Sequence, residues 1–113
     1  MSSEIQEIGR DRWAAFFDEF TKRHAGRKIN VEAYGPGTNP HQESRGLPFV
    51  GIVYEDRGHG SIEVLLGTEA ENHLSHTITA PTHVWARPEE MGDIVEIRGA
   101  DGVTCLLRFA YGS

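Results

Sequence analysis

The sequence predicts an α+β fold in which one N-terminal helix packs on a curved antiparallel sheet of five or six strands, a roll or partly open barrel. Three observations predict it. A single stretch near the N-terminus carries large apolar residues at helical spacing. Beyond Gly26 the apolar residues alternate with a period of two. No second helical pattern follows to supply the crossover that a parallel sheet requires. At 113 residues the chain suits one core, so residues 1–9 are read as a flexible tail and residues 10–113 as a single α+β domain.

The helix is expected between Arg10 and Ala25. Trp13, Phe16, Phe17 and Phe20 fall three and four residues apart and share one face, while Asp11, Arg12, Asp18, Glu19, Lys22 and Arg23 fill the other. Asp18 and Lys22 form a favourable i,i+4 pair, and Gly26 offers a left-handed stop. The basic residues Lys22, Arg23, Arg27 and Lys28 complement the negative end of the helix dipole. Burial of the aromatic stripe on a sheet is the reading adopted for it.

The strands follow in order. Ile29, Val31 and Ala33 alternate with polar neighbours and mark a half-buried strand. The segment Tyr34–Gly46 holds two prolines, three glycines and no large aliphatic residue, so a long mobile loop is expected. Leu47–Tyr54 is apolar on both parities, as in a strand covered on both sides. Arg57-Gly-His-Gly60 turns it back into Ser61–Leu66, where Ile62, Val64 and Leu66 share a face. Leu74–Thr79 is the next strand, resuming at His83–Ala86 after a break at Pro81, which argues for a bulge or a sheet edge.

The last hairpin can be registered by pattern. A two-residue Asp101-Gly102 turn would put Glu96 and Arg98 on the face of Cys105 and Leu107. A three-residue loop, Ala100-Asp101-Gly102 with Gly102 left-handed, pairs Ile97 with Cys105 and Val95 with Leu107, and turns all four inward. Along the chain, Trp13-Ala-Ala-Phe-Phe-Asp-Glu-Phe20, Leu47-Pro-Phe-Val-Gly-Ile52, His76-Thr-Ile-Thr-Ala-Pro81 and Asp101-Gly-Val-Thr-Cys-Leu-Leu-Arg-Phe109 resemble the domain of unknown function 5335 family of small bacterial proteins. The resemblance implies this architecture and carries no catalytic residues to transfer.

Charge narrows the partners. A net charge of −6 repels phosphate backbones and anionic lipid, so neither nucleic acid nor a membrane surface is an expected partner. No apolar run is long enough to cross a bilayer, and the first residues lack a basic flank and an apolar stretch, so a cytoplasmic location is expected. The single Cys105 lies on an inward parity and is read as an inert core thiol. Gly35-Pro-Gly37 lacks the Gly-Lys-Ser/Thr of a phosphate-binding loop, and no Gly-x-Ser-x-Gly elbow exists. Glu69, Glu71, Glu89 and Glu90 read as solvated turns, with Pro88 opening a single helical turn. Nothing places two acids in one cleft, so no catalytic residue is assigned.

Histidine and tryptophan carry what remains. His73, His76 and His83 are weak candidates for a zinc site, since three imidazoles leave a fourth position open. On a strand, however, residues 73 and 76 point to opposite faces, and a helical turn begun by Thr68 and Glu71 has only Ala70 and Leu74 as apolar partners. No metal or other cofactor is therefore expected. His76, between Leu74 and Ile78, should face inward, either buried neutral or looking into a pocket. Trp85 beside Arg87 has the composition of an interface hot spot, or else caps the open end of the core. His76, Trp85 and Arg87 are the candidate ligand-binding residues. The chain is thus expected to be a non-catalytic interaction module that forms a homodimer through an edge near Pro81–Trp85. The alternative is a small-ligand or metal-binding domain using histidines near the mouth of the roll.

Overall fold

The aromatic stripe folds as α1 (Trp13–His24), entered through a 3-10 turn (Arg10–Arg12). Trp13, Phe17, Phe20 and His24 are buried, one per helical turn, while Lys22–Asp18 (3.3 Å) and Arg23–Glu19 (3.4 Å) pair on the solvent side. Gly26 ends the helix at a φ of 90°, which an L side chain adopts only with strain. The structure, a computed structural model, describes residues 5–37, 41–67, 74–86 and 94–109, the side chains of residues 42 and 43 excepted.

The helix is not the first element. Residues 6–8, assigned above to the tail, form β1 (Gln6–Ile8). After α1 come β2 (Lys28–Tyr34), β3 (His41–Glu55), β4 (Ser61–Leu66), β5 (Leu74–Thr79), β6 (Pro81–Ala86), β7 (Ile94–Gly99) and β8 (Thr104–Phe109). The sheet is antiparallel with the order β1-β6-β7-β8-β2-β3-β4-β5. Among the described residues it has eight strands, not five or six. The excess comes from β1, whose three residues show no alternation to read, and from the division of residues 74–86 into two strands at Ala80.

That division shapes the sheet. β5 stands last in the strand order and β6 second, yet Ala80 alone separates them, so the sheet curls until its last strand runs into its second. Ala80 turns the corner at a φ of 52°, and its N–H and C=O bond to Gly60 O and Ala100 N, both at 2.9 Å. The corner thus ties the β3–β4 turn to the β7–β8 turn. Pro81 begins β6 beside a register shift, as a bulge would have it, but β6 is no edge: β1 pairs with it on one side and β7 on the other. The expected edge fails because residues 6–8 occupy it.

The other departure is the loop after Tyr34. His41–Gly46 instead extends β3 along β2, with Val31 opposite Ser44 and Ala33 opposite His41. Gly46 takes a φ of 69° and donates its N–H to Asn30 Oδ1 at 2.7 Å, where the register shifts. Backbone bonds build this ladder, so a segment without aliphatic alternation folds as strand. Residues 38–40 lie outside the described residues.

β4, β7 and β8 keep their inward parities, whereas Val50 and Val53 are exposed, so β3 is not covered on both sides as its two-parity apolar pattern led one to expect. Ile62, Val64 and Leu66 are fully buried on one face of β4. Val95 pairs with Leu107 and Ile97 with Cys105, all four buried, around a loop whose Gly102 has a φ of 85°. Gly102 N donates to Gly99 O and Gly99 N to Val103 O, as the three-residue loop demands.

α1 closes the core by covering the side of β3 that β2 leaves free beyond Pro48. Beyond Pro48, β3 pairs with β4 but no longer with β2. There Gly26 N donates to Phe49 O (2.7 Å), Phe49 N to Arg27 O (2.8 Å) and Ile52 N to Thr21 Oγ1 (3.1 Å). The helix approaches this closely because residue 51 is glycine: a Cβ there would lie 3.2 Å from Thr21 Cγ2.

Candidate interaction surfaces

On β6, Val84 and Ala86 are fully buried, so His83 and Trp85 share the outer face, both half-buried. Their rings stack at 5.3 Å with 5° between planes. Arg98, which pairs across from His83 on β7, sets its Cζ 5.0 Å from the Trp85 ring. His83 Nε2 lies 3.9 Å from Glu7 Oε2 on β1, and its Nδ1 lies 2.9 Å from Thr82 Oγ1. Trp85 therefore does not cap the core. It lies on the outside of the sheet, with an imidazole and a guanidinium against it.

Next to it, Tyr34 donates its hydroxyl to Glu96 Oε1 at 3.1 Å, and Arg98 Nε donates to Thr104 Oγ1 at 3.4 Å. Burial raises the Tyr34 phenol above its usual range; the Glu96 carboxylate adds to this by its charge and by accepting the hydroxyl's hydrogen bond, and Arg98 opposes it. Tyr34, Pro36, Arg98, Gly102 and Thr104 border a shallow cleft of about 340 Å³.

Of the sequence-predicted site residues, the structure describes His76, His83 and Trp85. His76 lies on β5 opposite the buried Val64, half-buried, with its Nε2 out of contact with solvent and without a hydrogen-bond partner. His83 is held on the outer face of β6. His73 and Arg87 lie outside the described residues, as do Glu69, Glu71 and the Pro88 turn. Among the described residues no three His, Cys, Asp or Glu side chains gather to hold a metal ion. Among the described residues, Arg98 is a cation beside Trp85. It escaped the sequence reading because the contact runs across the β6–β7 ladder, whose register shifts between Pro81 and His83.

Arg10 was also missed. Its Nη2 donates to Pro81 O at 2.8 Å and its Nη1 to the Tyr54 hydroxyl at 3.2 Å, and its Cζ lies 4.4 Å from the centre of the Trp13 ring. It joins β3, β6 and the helix entrance. Trp13 in turn donates its indole N–H to Ile8 O at 2.9 Å, which fastens β1 to α1. Between these two elements runs a groove of about 600 Å³, whose apolar lining includes Ile8, Ala15, Phe16 and Phe20.

Among the described residues β5 forms the far edge of the sheet and pairs only with β4. Its residues, Leu-Ser-His-Thr-Ile-Thr, include no proline, lysine, arginine or acid. Ser75, Thr77 and Thr79 are exposed, and Leu74 is 38% exposed. Edge strands are commonly guarded by charge, proline or a bulge, and this one has none of these.

Fold and surfaces together define a small α+β domain, one helix on an open, curled antiparallel sheet, with no helix among the described residues long and apolar enough to cross a membrane. The chain belongs to the family of unknown function DUF5335, which it matches over residues 4–112. No curated protein and no solved structure matches it.

Proposed function

We propose that this protein is a non-catalytic interaction module of the bacterial cytoplasm, a roll or partly open barrel that pairs with a second copy of itself through β5. The observation that carries the reading is the unguarded β5 edge. Two copies related by a two-fold axis would pair their edges antiparallel, extending the ladder from one sheet into the other. A chain of net charge −6 repels its copy over most of its surface, and β5 is a strand on which no like charges would meet. The same net charge argues against nucleic acid and anionic membranes as partners.

The interface belongs on β5 and not near Trp85, because β6 has a strand on each side. The competing reading, a ligand or metal site built on His73, His76 and His83, has one observation in its favour: the unpartnered Nε2 of His76. His83 is engaged with Trp85, Glu7 and Thr82.

Light scattering coupled to gel filtration tests the proposal. The protein should elute at twice its 12.6 kDa chain mass, and a Ser75→Lys/Thr77→Lys variant at the chain mass. Trp85→Ala should leave the dimer intact. A monomer at millimolar concentration, or a dimer indifferent to the two lysines, overturns the reading.

A further inference from the structure

The geometry points to the groove between α1 and β1 as a binding site for a small amphipathic carboxylate, its apolar chain lying on Phe16 and Phe20 and its head group on Arg12. The volume, about 600 Å³, falls within the range of small-molecule sites. One wall is a single helical stripe, Arg12, Ala15, Phe16, Glu19, Phe20 and Arg23, which extends about 16 Å along the helix axis. The other is β1, the edge strand at this end of the sheet.

The charges on the lining select the ligand. Glu19 is paired with Arg23 at 3.4 Å, and Glu7 lies toward His83 at 3.9 Å. The Arg12 guanidinium lines the groove and has no ion-pair or hydrogen-bond partner among the described residues. An apolar floor beside one exposed guanidinium without a protein partner among the described residues suits a carboxylate on a hydrocarbon or aryl body, because the guanidinium fork matches the two carboxylate oxygens. An extended peptide adding to β1 fits less well. The Ile8 carbonyl already accepts the Trp13 indole N–H at 2.9 Å, and the Gly9 carbonyl accepts Arg12 N at 2.9 Å, so two acceptors at that end of the strand are occupied.

The test is amide NMR during titration with sodium decanoate below its micellar range, alongside 1-decanol and acetate. Decanoate should shift the amides of Ile8, Ala15 and Phe16, decanol should bind more weakly at the same residues, and acetate should not bind. Arg12 is exposed, so Arg12→Gln keeps the fold; it should weaken decanoate at least about tenfold, as loss of a charge-assisted pair does, and leave decanol unchanged. Ala15→Trp, which fills the groove from an exposed helical position, should abolish both. Shifts confined to other residues, equal affinity for decanoate and decanol, or an unaltered decanoate affinity in Arg12→Gln overturns the assignment.

Discussion

Replacing Thr21 by Val isolates the device that docks α1 on the sheet. Thr21 Oγ1 accepts the Ile52 N–H at 3.1 Å and approaches Ile52 O at 3.4 Å, so one hydroxyl meets the backbone of β3 on the side away from β4, where β2 no longer pairs. Valine keeps the methyl group that packs over Gly51 and has nearly the helix propensity of threonine, so packing and helix formation change little. What changes is that the Ile52 N–H loses its partner in a part-buried place. Leaving such a donor unsatisfied costs about 1–3 kcal/mol, and the 3.4 Å contact is too long to add much.

For a chain of this size that corresponds to a fall in Tm of roughly 3–6 °C per kcal/mol. Urea unfolding followed by tryptophan fluorescence measures it. Thr21→Ser is the control, since it keeps the hydroxyl and loses one methyl group, worth about 0.8 kcal/mol. Hydrogen exchange at Ile52 should accelerate in Thr21→Val and not in Thr21→Ser. If Thr21→Val unfolds within about 0.3 kcal/mol of the parent, or if Thr21→Ser costs as much as Thr21→Val, then α1 is held by its aromatic face alone and the hydroxyl bridge is incidental.

Three further outcomes follow from the same structure. Gly51→Ala should destabilise by about 1 kcal/mol by pressing on Thr21, and less in the Thr21→Ser background, where the methyl group is gone; equal costs in both backgrounds, read by urea unfolding, would break that link. Ala80→Gly should stabilise by up to about 1 kcal/mol, because glycine removes the strain of a φ of 52° while the larger freedom of the unfolded chain takes part of the gain back; a loss of stability would show that the alanine methyl group packs usefully at the corner. The Tyr34 phenol is raised in the folded state, so its contribution is fully present below the unfolded value of about 10 and is lost as pH rises through the folded value. Glu96→Gln should weaken this alkaline loss, as followed by tyrosinate absorbance with Tyr34→Phe as the blank.

What could be read in advance was whatever a single face of a single element encodes. The helix was legible because Trp13, Phe17 and Phe20 repeat with the turn, and His24 continues their stripe one turn further on: it stacks on Phe109 at 4.5 Å and meets Arg27 Nη1 at 2.9 Å through its Nδ1. As an arginine N–H can only donate, that nitrogen must be the acceptor, which sets the imidazole tautomer. The β7–β8 register was legible because one alternative buried Glu96 and Arg98 and the other buried Val95 and Ile97. Where neither alternative buries charge, the pattern is silent. His41–Gly46 and Gln6–Ile8 offer no apolar alternation, and both are strands because an open backbone edge lay beside them. The candidate surfaces fail the same way and for the same reason. Arg98 reaches Trp85 across a ladder, Arg10 reaches Pro81 across 71 residues, and the α1–β1 groove exists only because β1 adds to β6. Periodicity reports which way a residue points. Function on a curled sheet depends on which residue stands opposite, and that is decided by backbone pairing, which side-chain patterns specify only where a wrong register would bury charge.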